Sequence, residues 1–213
     1  DNKSMLTEVN DVGECISENK QAELLELVAN LSKTCEVMVV SGSLPQGIES
    51  DYYAKLFGVA APHTLKIADT EGARLNSALS AGLDLVKPNK DELQNTLQRE
   101  LKSREDLLKG CYALLDKGAE RVLLSLGKRG AIITDGTKNY YCKSINVAIN
   151  STVGAGDGMV AAASIMLEQG ASLEEILRAG VAAGTATVTT FGKISFTKEK
   201  YDEIYAGLTV EEI

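Results

Sequence analysis

Apolar runs alternate along this chain with segments in which apolar positions recur every three or four residues. Glu36–Val40, Leu65–Thr70, Leu83–Lys87 and Arg121–Leu126 are short and rich in β-branched residues and leucine, as expected of strands buried on both faces. Helical patterns separate them, over residues 51–60, 73–81, 90–97 and 103–117, the last closed by Gly118. An earlier helix is capped by Ser17, with Lys20 rather than an acid at the box position, and carries its apolar stripe on Leu24, Leu25, Leu27, Val28 and Leu31. Ahead of it, Thr7–Gly13 reads as a short strand leading into a turn. Ala131–Thr134 and Tyr140–Cys142 flank Asp135-Gly136, which predicts a hairpin whose loop is longer than two residues. The β-rich run extends over Asn139–Val147, and the apolar run Met159–Leu167 predicts a buried helix reaching residue 169. Ser172 caps another helix over Leu173–Ala179, with Glu175 in capping-box position. Residues 180–190 are small and apolar, which suits either close packing or a flat wall for a ring.

Strands alternating with helices predict an α/β fold with a mainly parallel sheet flanked by helices. There are no repeats and no internal domain boundary. Five strand ends break into Gly, Ser, Asn or acids, at 41–47, 69–72, 87–92, 125–130 and 150–158. They are expected along one edge of the sheet, where ligand crevices form in open α/β folds.

The 213 residues, 44% hydrophobic and 24% charged, suit one domain with a proper core. The net charge of −8 and the lack of any basic run argue against nucleic acid as a partner. Cys15, Cys35, Cys111 and Cys142 are scattered without a Cys-x-x-Cys pair, and the single His63 offers them no metal partner. They read as reduced cysteines of a cytoplasmic protein. No apolar run reaches membrane-spanning length, so no membrane partner is expected, and no signal peptide opens the chain. The chain starts Asp1-Asn2-Lys3-Ser4, without Met, which reads as a fragment or a trimmed chain.

The candidate chemistry lies at Asn150-Ser151-Thr152-Val153-Gly154-Ala155-Gly156-Asp157-Gly158. A Gly-Ala-Gly turn between a strand-like segment and a helix start exposes unpaired N–H groups at the positive end of the helix dipole. That is an anion site. Asp157 then places a carboxylate beside the anion. It can act as a base toward a hydroxyl attacking a bound phosphate, or simply as a helix N-cap. A dinucleotide fingerprint fails at Met159, and no Walker Gly-Lys-Ser/Thr triplet occurs. By residues alone, Asn89 with Glu92 is a helix cap. Asp69 is open between a polar site residue and a cap. Lys128 is open between a phosphate contact and a solvated turn, and His63 reads as a surface turn residue.

Four segments together resemble the PfkB, or ribokinase-type, carbohydrate kinases. They are Val40-Ser41-Gly42-Ser43-Leu44-Pro45, Lys87-Pro88-Asn89-Lys90-Asp91-Glu92-Leu93, Ser125-Leu126-Gly127-Lys128-Arg129-Gly130-Ala131 and Ser151-Thr152-Val153-Gly154-Ala155-Gly156-Asp157. The likeness is strongest to the sugar-phosphate branch, that of 1-phosphofructokinases and tagatose-6-phosphate kinases, and runs from Thr7 to about Phe191.

The resemblance implies ATP and Mg2+ as cofactors and a sugar phosphate as acceptor, with fructose 1-phosphate converted to fructose 1,6-bisphosphate. It implies Asp157 as catalytic base and Gly154, Ala155 and Gly156 as the anion hole for the transferring phosphoryl group. Ser125, Gly127 and Gly130 match the nucleotide loop, and Asn89 and Glu92 match the pair that organises magnesium. Residues 1–213 correspond to the C-terminal portion of a single ribokinase-like kinase domain. The family pattern before Thr7, with its substrate-binding acid, lid strands and basic residues for the sugar's phosphate, is not matched. The 213 residues alone are therefore expected to be inactive or nearly so, and a homodimer is an option for the full-length protein only. Gly158 departs from the Ser or Ala more usual in the family, and is expected at the first position of the helix.

Overall fold

The computed structural model describes residues 13–191 and 196–213. The strand expected over Thr7–Gly13 lies outside them, save for Gly13. In chain order the elements are α1 (Glu18–Leu31), β1 (Val37–Ser41), α2 (Tyr52–Gly58), β2 (Leu65–Asp69), α3 (Gly72–Leu79), β3 (Leu85–Val86), α4 (Lys90–Leu97), α5 (Arg104–Leu115) and β4 (Val122–Ser125). They continue with β5 (Ala131–Thr134), β6 (Asn139–Cys142), α6 (Ala155–Glu168), α7 (Leu173–Val188), α8 (Lys198–Gly207) and β7 (Val210–Glu212).

Among the described residues the strands form one seven-stranded sheet in sequence order, β1 to β7. The first four run parallel, with Ser41 opposite Asp69 and Ala68 opposite Val86. The α/β class expected from the alternation of patterns is the one observed. The sheet is mixed, because β4 to β7 pair antiparallel. Parallel pairing needs a crossover of a dozen or more residues, and the β4–β5 and β5–β6 connections are too short for one. β7, which no pattern announced, is short and acidic, as suits an edge strand.

Side chains alternate across the sheet and divide the core in two. Ala68, Val86, Val122, Leu124 and Ile132 pack with Phe57, Leu75, Leu79, Leu93 and Leu114 from α2 to α5. Ile67, Leu85, Leu123, Ala131 and Ile133 pack with α6, α7 and α8 through Val160, Ala163, Leu177, Ala182 and Ile204. Covering both faces explains why Val122-Leu123-Leu124 is apolar without interruption.

Three sequence expectations change. β6 stops at Cys142, so residues 143–149 are irregular chain and not strand. Helix α6 begins at Ala155, not Met159, because Gly154 takes the left-handed N-cap conformation at φ +82°. Gly158 is accordingly the fourth helical residue, and Asp157 is in the first turn rather than at the cap. The helix expected to end at Ala179 runs unbroken to Val188, through the small-residue segment. Glycine weakens an isolated helix, but here it permits close contact. A Cβ on Gly180 would lie 3.1 Å from Met159 Cγ, and one on Gly184 3.1 Å from Ala155 O.

Gly130 follows the short 3-10 turn at Gly127–Arg129 with φ +93°, and a Cβ there would lie 1.9 Å from the Cys142 carbonyl oxygen. Gly47 has a similar φ, +81°, but nothing near it. Gly130→Ala is expected to cost about 3–5 kcal/mol, from backbone strain plus overpacking. Gly47→Ala is expected to cost only about 1–2 kcal/mol, from the left-handed backbone alone. Urea unfolding of the two variants checks this order.

Candidate active site

The carboxyl ends of the four parallel strands are tied together by short links. Gly42 N–H donates to Asp69 O at 2.9 Å, and Thr70 Oγ1 donates to Gly42 O at 2.8 Å. Lys87 N–H donates to Ala68 O at 3.0 Å, and Ser125 N–H to Pro88 O at 2.9 Å. A parallel bridge joins Asn89 to Ser125. The 41–42, 69–72, 87–92 and 125–130 segments therefore share one edge, as their composition predicted, and α6 brings the 154–158 segment to it.

Lys87 and Asp69 form the centre of this edge. Their charged atoms are 3.0 Å apart, with the side chains 5% and 12% exposed. A Cβ on Gly156 would lie 3.4 Å from Lys87 Nζ and 4.0 Å from Asp69 Oδ2. The first turn of α6 thus rests on the ion pair, at a spacing that would leave a Cβ in ordinary van der Waals contact with it. The first N–H groups of α6 have no carbonyl within the helix to bond to, although Ala155 N–H makes a long bond, 3.4 Å, to Thr152 O in the loop before it. Their partial charge makes a weakly positive spot at the head of the helix, beside a Lys87 ammonium that is already paired with Asp69. Burial pushes the Asp69 carboxyl above its ordinary range, against the opposing pull of Lys87 and with a further push from the nearby Asp157. Burial also raises Glu92, against the Asn89 N–H and Lys87, which lower it.

Beside this spot opens a cavity of about 370 Å³. Ser125, Gly127, Lys128 and Gly130 line it, as do Ala155 and Gly156 from the start of α6. Ile145, Val147, Ile149, Val181 and Val188 make the rest of the lining an apolar slot. An apolar slot that leads to a positive helix terminus fits a flat ring carrying an anionic tail.

Of the residues picked from sequence, Ser125, Gly127, Gly130, Ala155 and Gly156 line this one cavity, as does Lys128. Gly154 caps the same helix, and Asp157 stands exposed in its first turn, outside the cavity lining. Asn89 and Glu92 sit on the neighbouring strand end and make the full capping box. Asn89 Oδ1 accepts from the Asp91 and Glu92 N–H groups at 2.8 and 2.9 Å, and Glu92 Oε2 accepts the Asn89 N–H at 2.7 Å. His63 is an exposed turn residue, as expected. The small-residue segment is closely packed and also lines the cavity. Gly180 and Gly184 pack on α6, while Val181, Thr185 and Val188 line the slot.

Sequence reasoning left Asp69 undecided and assigned Lys87 nothing. The available signal was a lysine at the end of an apolar strand next to a strand ending on an acid. Parallel register places such ends side by side. Residues 144–147 were also missed as cavity lining, because they read as a continuing strand.

Asp69→Asn leaves a buried ammonium without its counter-charge and is expected to cost about 3–5 kcal/mol. Asp69→Leu combined with Lys87→Met removes both charges and is expected to recover most of that loss, to within about 1–2 kcal/mol of the original protein. Denaturant unfolding of the two variants measures both.

Residues 2–200 match the pfkB family carbohydrate kinases. The chain is 36% identical over 200 residues to the ATP-dependent 6-phosphofructokinase isozyme 2 of Escherichia coli strain K12, covering 92% of this chain and 64% of that protein. It is 32% identical over 209 residues to the 1-phosphofructokinase of Borreliella burgdorferi, covering 97% of this chain and 67% of that protein. Its fold matches a crystal structure of phosphofructokinase-2 from Escherichia coli in complex with potassium, with a TM-score of 0.83 at 36% identity, covering 90% of this chain and 63% of that one. The chain therefore spans less than two thirds of the length of the Escherichia coli relative. With the match running over most of its residues and its four motif segments gathered at one sheet edge, the chain belongs to the pfkB family of carbohydrate kinases.

Proposed function

We propose that this chain carries the nucleotide site and the base of a kinase that transfers the γ-phosphoryl group of ATP to a hydroxyl of a ketohexose monophosphate. The observation that supports this most is the first turn of α6. It sets a carboxylate, Asp157, one residue from Gly156, which lies against the Lys87 ammonium at the end of the apolar slot.

In this reading the adenine lies in the slot between Ile145, Val147 and Val181, and the phosphates run past Ser125 and Gly127 toward α6. The N–H groups of Ala155 and Gly156, with the Gly154 cap, receive the transferring phosphoryl oxygens. Such donors act most strongly where charge develops in the transition state. Asp157 takes the proton from the attacking hydroxyl. Lys87 adds positive charge beneath the turn, and Asp69 holds it there.

Magnesium, when bound with the triphosphate, would offset charge between the β- and γ-phosphates. Among the described residues no three His, Cys, Asp or Glu side chains form a cage for a metal. Glu92 commits Oε2 to the Asn89 N–H, which leaves Oε1 for a metal-bound water. Magnesium keeps several of its waters, so this donor set fits a hydrated ion carried by the nucleotide. Asn89 orients Glu92 through the capping box.

Fructose 1-phosphate, converted to fructose 1,6-bisphosphate, is the proposed acceptor, supported by the likeness to 1-phosphofructokinase. Fructose 6-phosphate is the alternative favoured by the likeness to 6-phosphofructokinase isozyme 2. Tagatose 6-phosphate belongs in the same panel. Residues 1–213 act as the C-terminal portion of one ribokinase-like domain, with acceptor-binding groups supplied by further sequence of the natural polypeptide. No described helix is long and apolar enough to cross a membrane, in keeping with a cytoplasmic enzyme that acts on small molecules.

In an ATP-coupled assay, Asp157→Asn is expected to lower kcat by about 10²–10⁴-fold, the usual contribution of a positioned base. ATP affinity, read by calorimetry, should move less than about threefold, since the base contributes to the transition state and not to ground-state binding. An Asp157→Asn variant with full turnover overturns the assignment. The 213 residues alone are expected to turn over at least about 100-fold more slowly than the natural polypeptide, because orientation of the acceptor is lost. Equal rates in the sugar-phosphate panel would place the whole acceptor site within this chain.

A further inference from the structure

The first turn of α6 carries both Asp157 and the N–H groups of the proposed anion hole, so its position sets the reaction geometry. One side chain outside that turn reaches both of its ends. A Cβ built on Gly154 would stand 3.6 Å from Thr187 Cγ2, and one built on Gly158 would stand 2.5 Å from Thr187 Oγ1. Thr187 belongs to the last turn of α7, and its hydroxyl donates to Ala183 O at 2.9 Å. A β-branched side chain in a helix has few rotamers, and that hydrogen bond selects one of them.

The same end of α7 holds the loop that leads into α6. Asn150 N–H donates to Val188 O at 2.8 Å, and Asn150 Nδ2 donates to Thr189 O at 2.7 Å. The last carbonyls of a helix have no partner within it, so these bonds fasten the loop to a preformed set of acceptors. Thr187 then fixes the turn that follows. It is not among the residues lining the cavity.

We propose that Thr187 is a positioning residue for Asp157 and the anion hole, and that Gly158 is the other half of the same contact. The threonine fills the space that a side chain at 158 would need. The pair sets how far the first turn of α6 sits from α7, and with it the distance between the base and the γ-phosphoryl site. This inference rests on the reading of Asp157 as the base.

A double-mutant cycle tests it, using the natural polypeptide that carries this chain, with ATP and the sugar-phosphate panel. Gly158→Ala is expected to lower kcat by about 10–100-fold while KM for ATP stays within about threefold, the signature of a displaced reacting group. Adding Thr187→Ala should recover most of that loss, giving a coupling in kcat well beyond additivity. Thr187→Val keeps the branched shape and loses only the hydroxyl. It should retain kcat better than Thr187→Ala, which tests the contact even if Gly158→Ala does not fold. Additive effects on kcat overturn the proposal, as does coupling seen only in the melting temperature with kcat unmoved, or Thr187→Val falling below Thr187→Ala. If the unmutated enzyme transfers phosphate to no sugar phosphate, the kinase reading itself fails and this inference fails with it. An active enzyme with uncoupled variants removes this inference alone.

Discussion

The Lys87–Asp69 pair is the contact on which the working edge of this protein depends. Removing two charges from water is costly, and their mutual attraction at 3.0 Å offsets that cost only with good surroundings. An apolar pair of similar volume is expected to hold stability to within about 1–2 kcal/mol, so a contribution to folding gives little reason for the charges. Their position gives a stronger one. Gly156 sits directly on it, and the early N–H groups of α6 add their partial positive charge to that of Lys87. The sheet thereby holds a paired ammonium at the point where α6 begins.

Around that pair, glycine serves close approach. Gly180 admits the Met159 side chain, and Gly184 admits Ala155 O. At Gly158 the neighbour is Thr187. The residue at 158 was a departure from the family's usual Ser or Ala when seen as sequence. In the fold it is the complement of a threonine on another helix. The long α7 keeps its helical form through this small-residue stretch because burial of Ile176, Leu177, Val181 and Ala182 outweighs the weak propensity of its glycines. One helix therefore forms part of the cavity wall, packs against α6 and fastens the loop at Asn150.

Asn89 and Glu92 show how a helix cap can also fix the direction of a carboxylate. The capping box is made in full, which accounts for the residues as a helix start. The same bonds orient the Glu92 carboxylate, half-buried and raised above its ordinary range, next to the strand end that bears Lys87. A local structural role thus fixes the direction of a group available for chemistry.

Much was legible along the chain. The burial periods separated strands from helices, because two-sided burial forces continuous apolar runs and one-sided burial forces a helical stripe. The broken strand ends marked the edge where Ser125, Gly127, Gly130, Ala155 and Gly156 meet, since parallel strands feeding helices on either face must turn at the same side. Where a contact spans distant segments, the chain alone was silent. It could not pair Asp69 with Lys87 or Gly158 with Thr187. Nor could it start α6 at Ala155, because that start depends on a left-handed glycine rather than on apolar density. It misread residues 143–147 as strand, because an apolar cavity wall and a strand face have the same composition. The sequence by itself determined the α/β class and the residues available for an anion site. Tertiary structure alone decided which charges are buried together and which side chains set their spacing, because those are matters of distance between segments that sequence does not order.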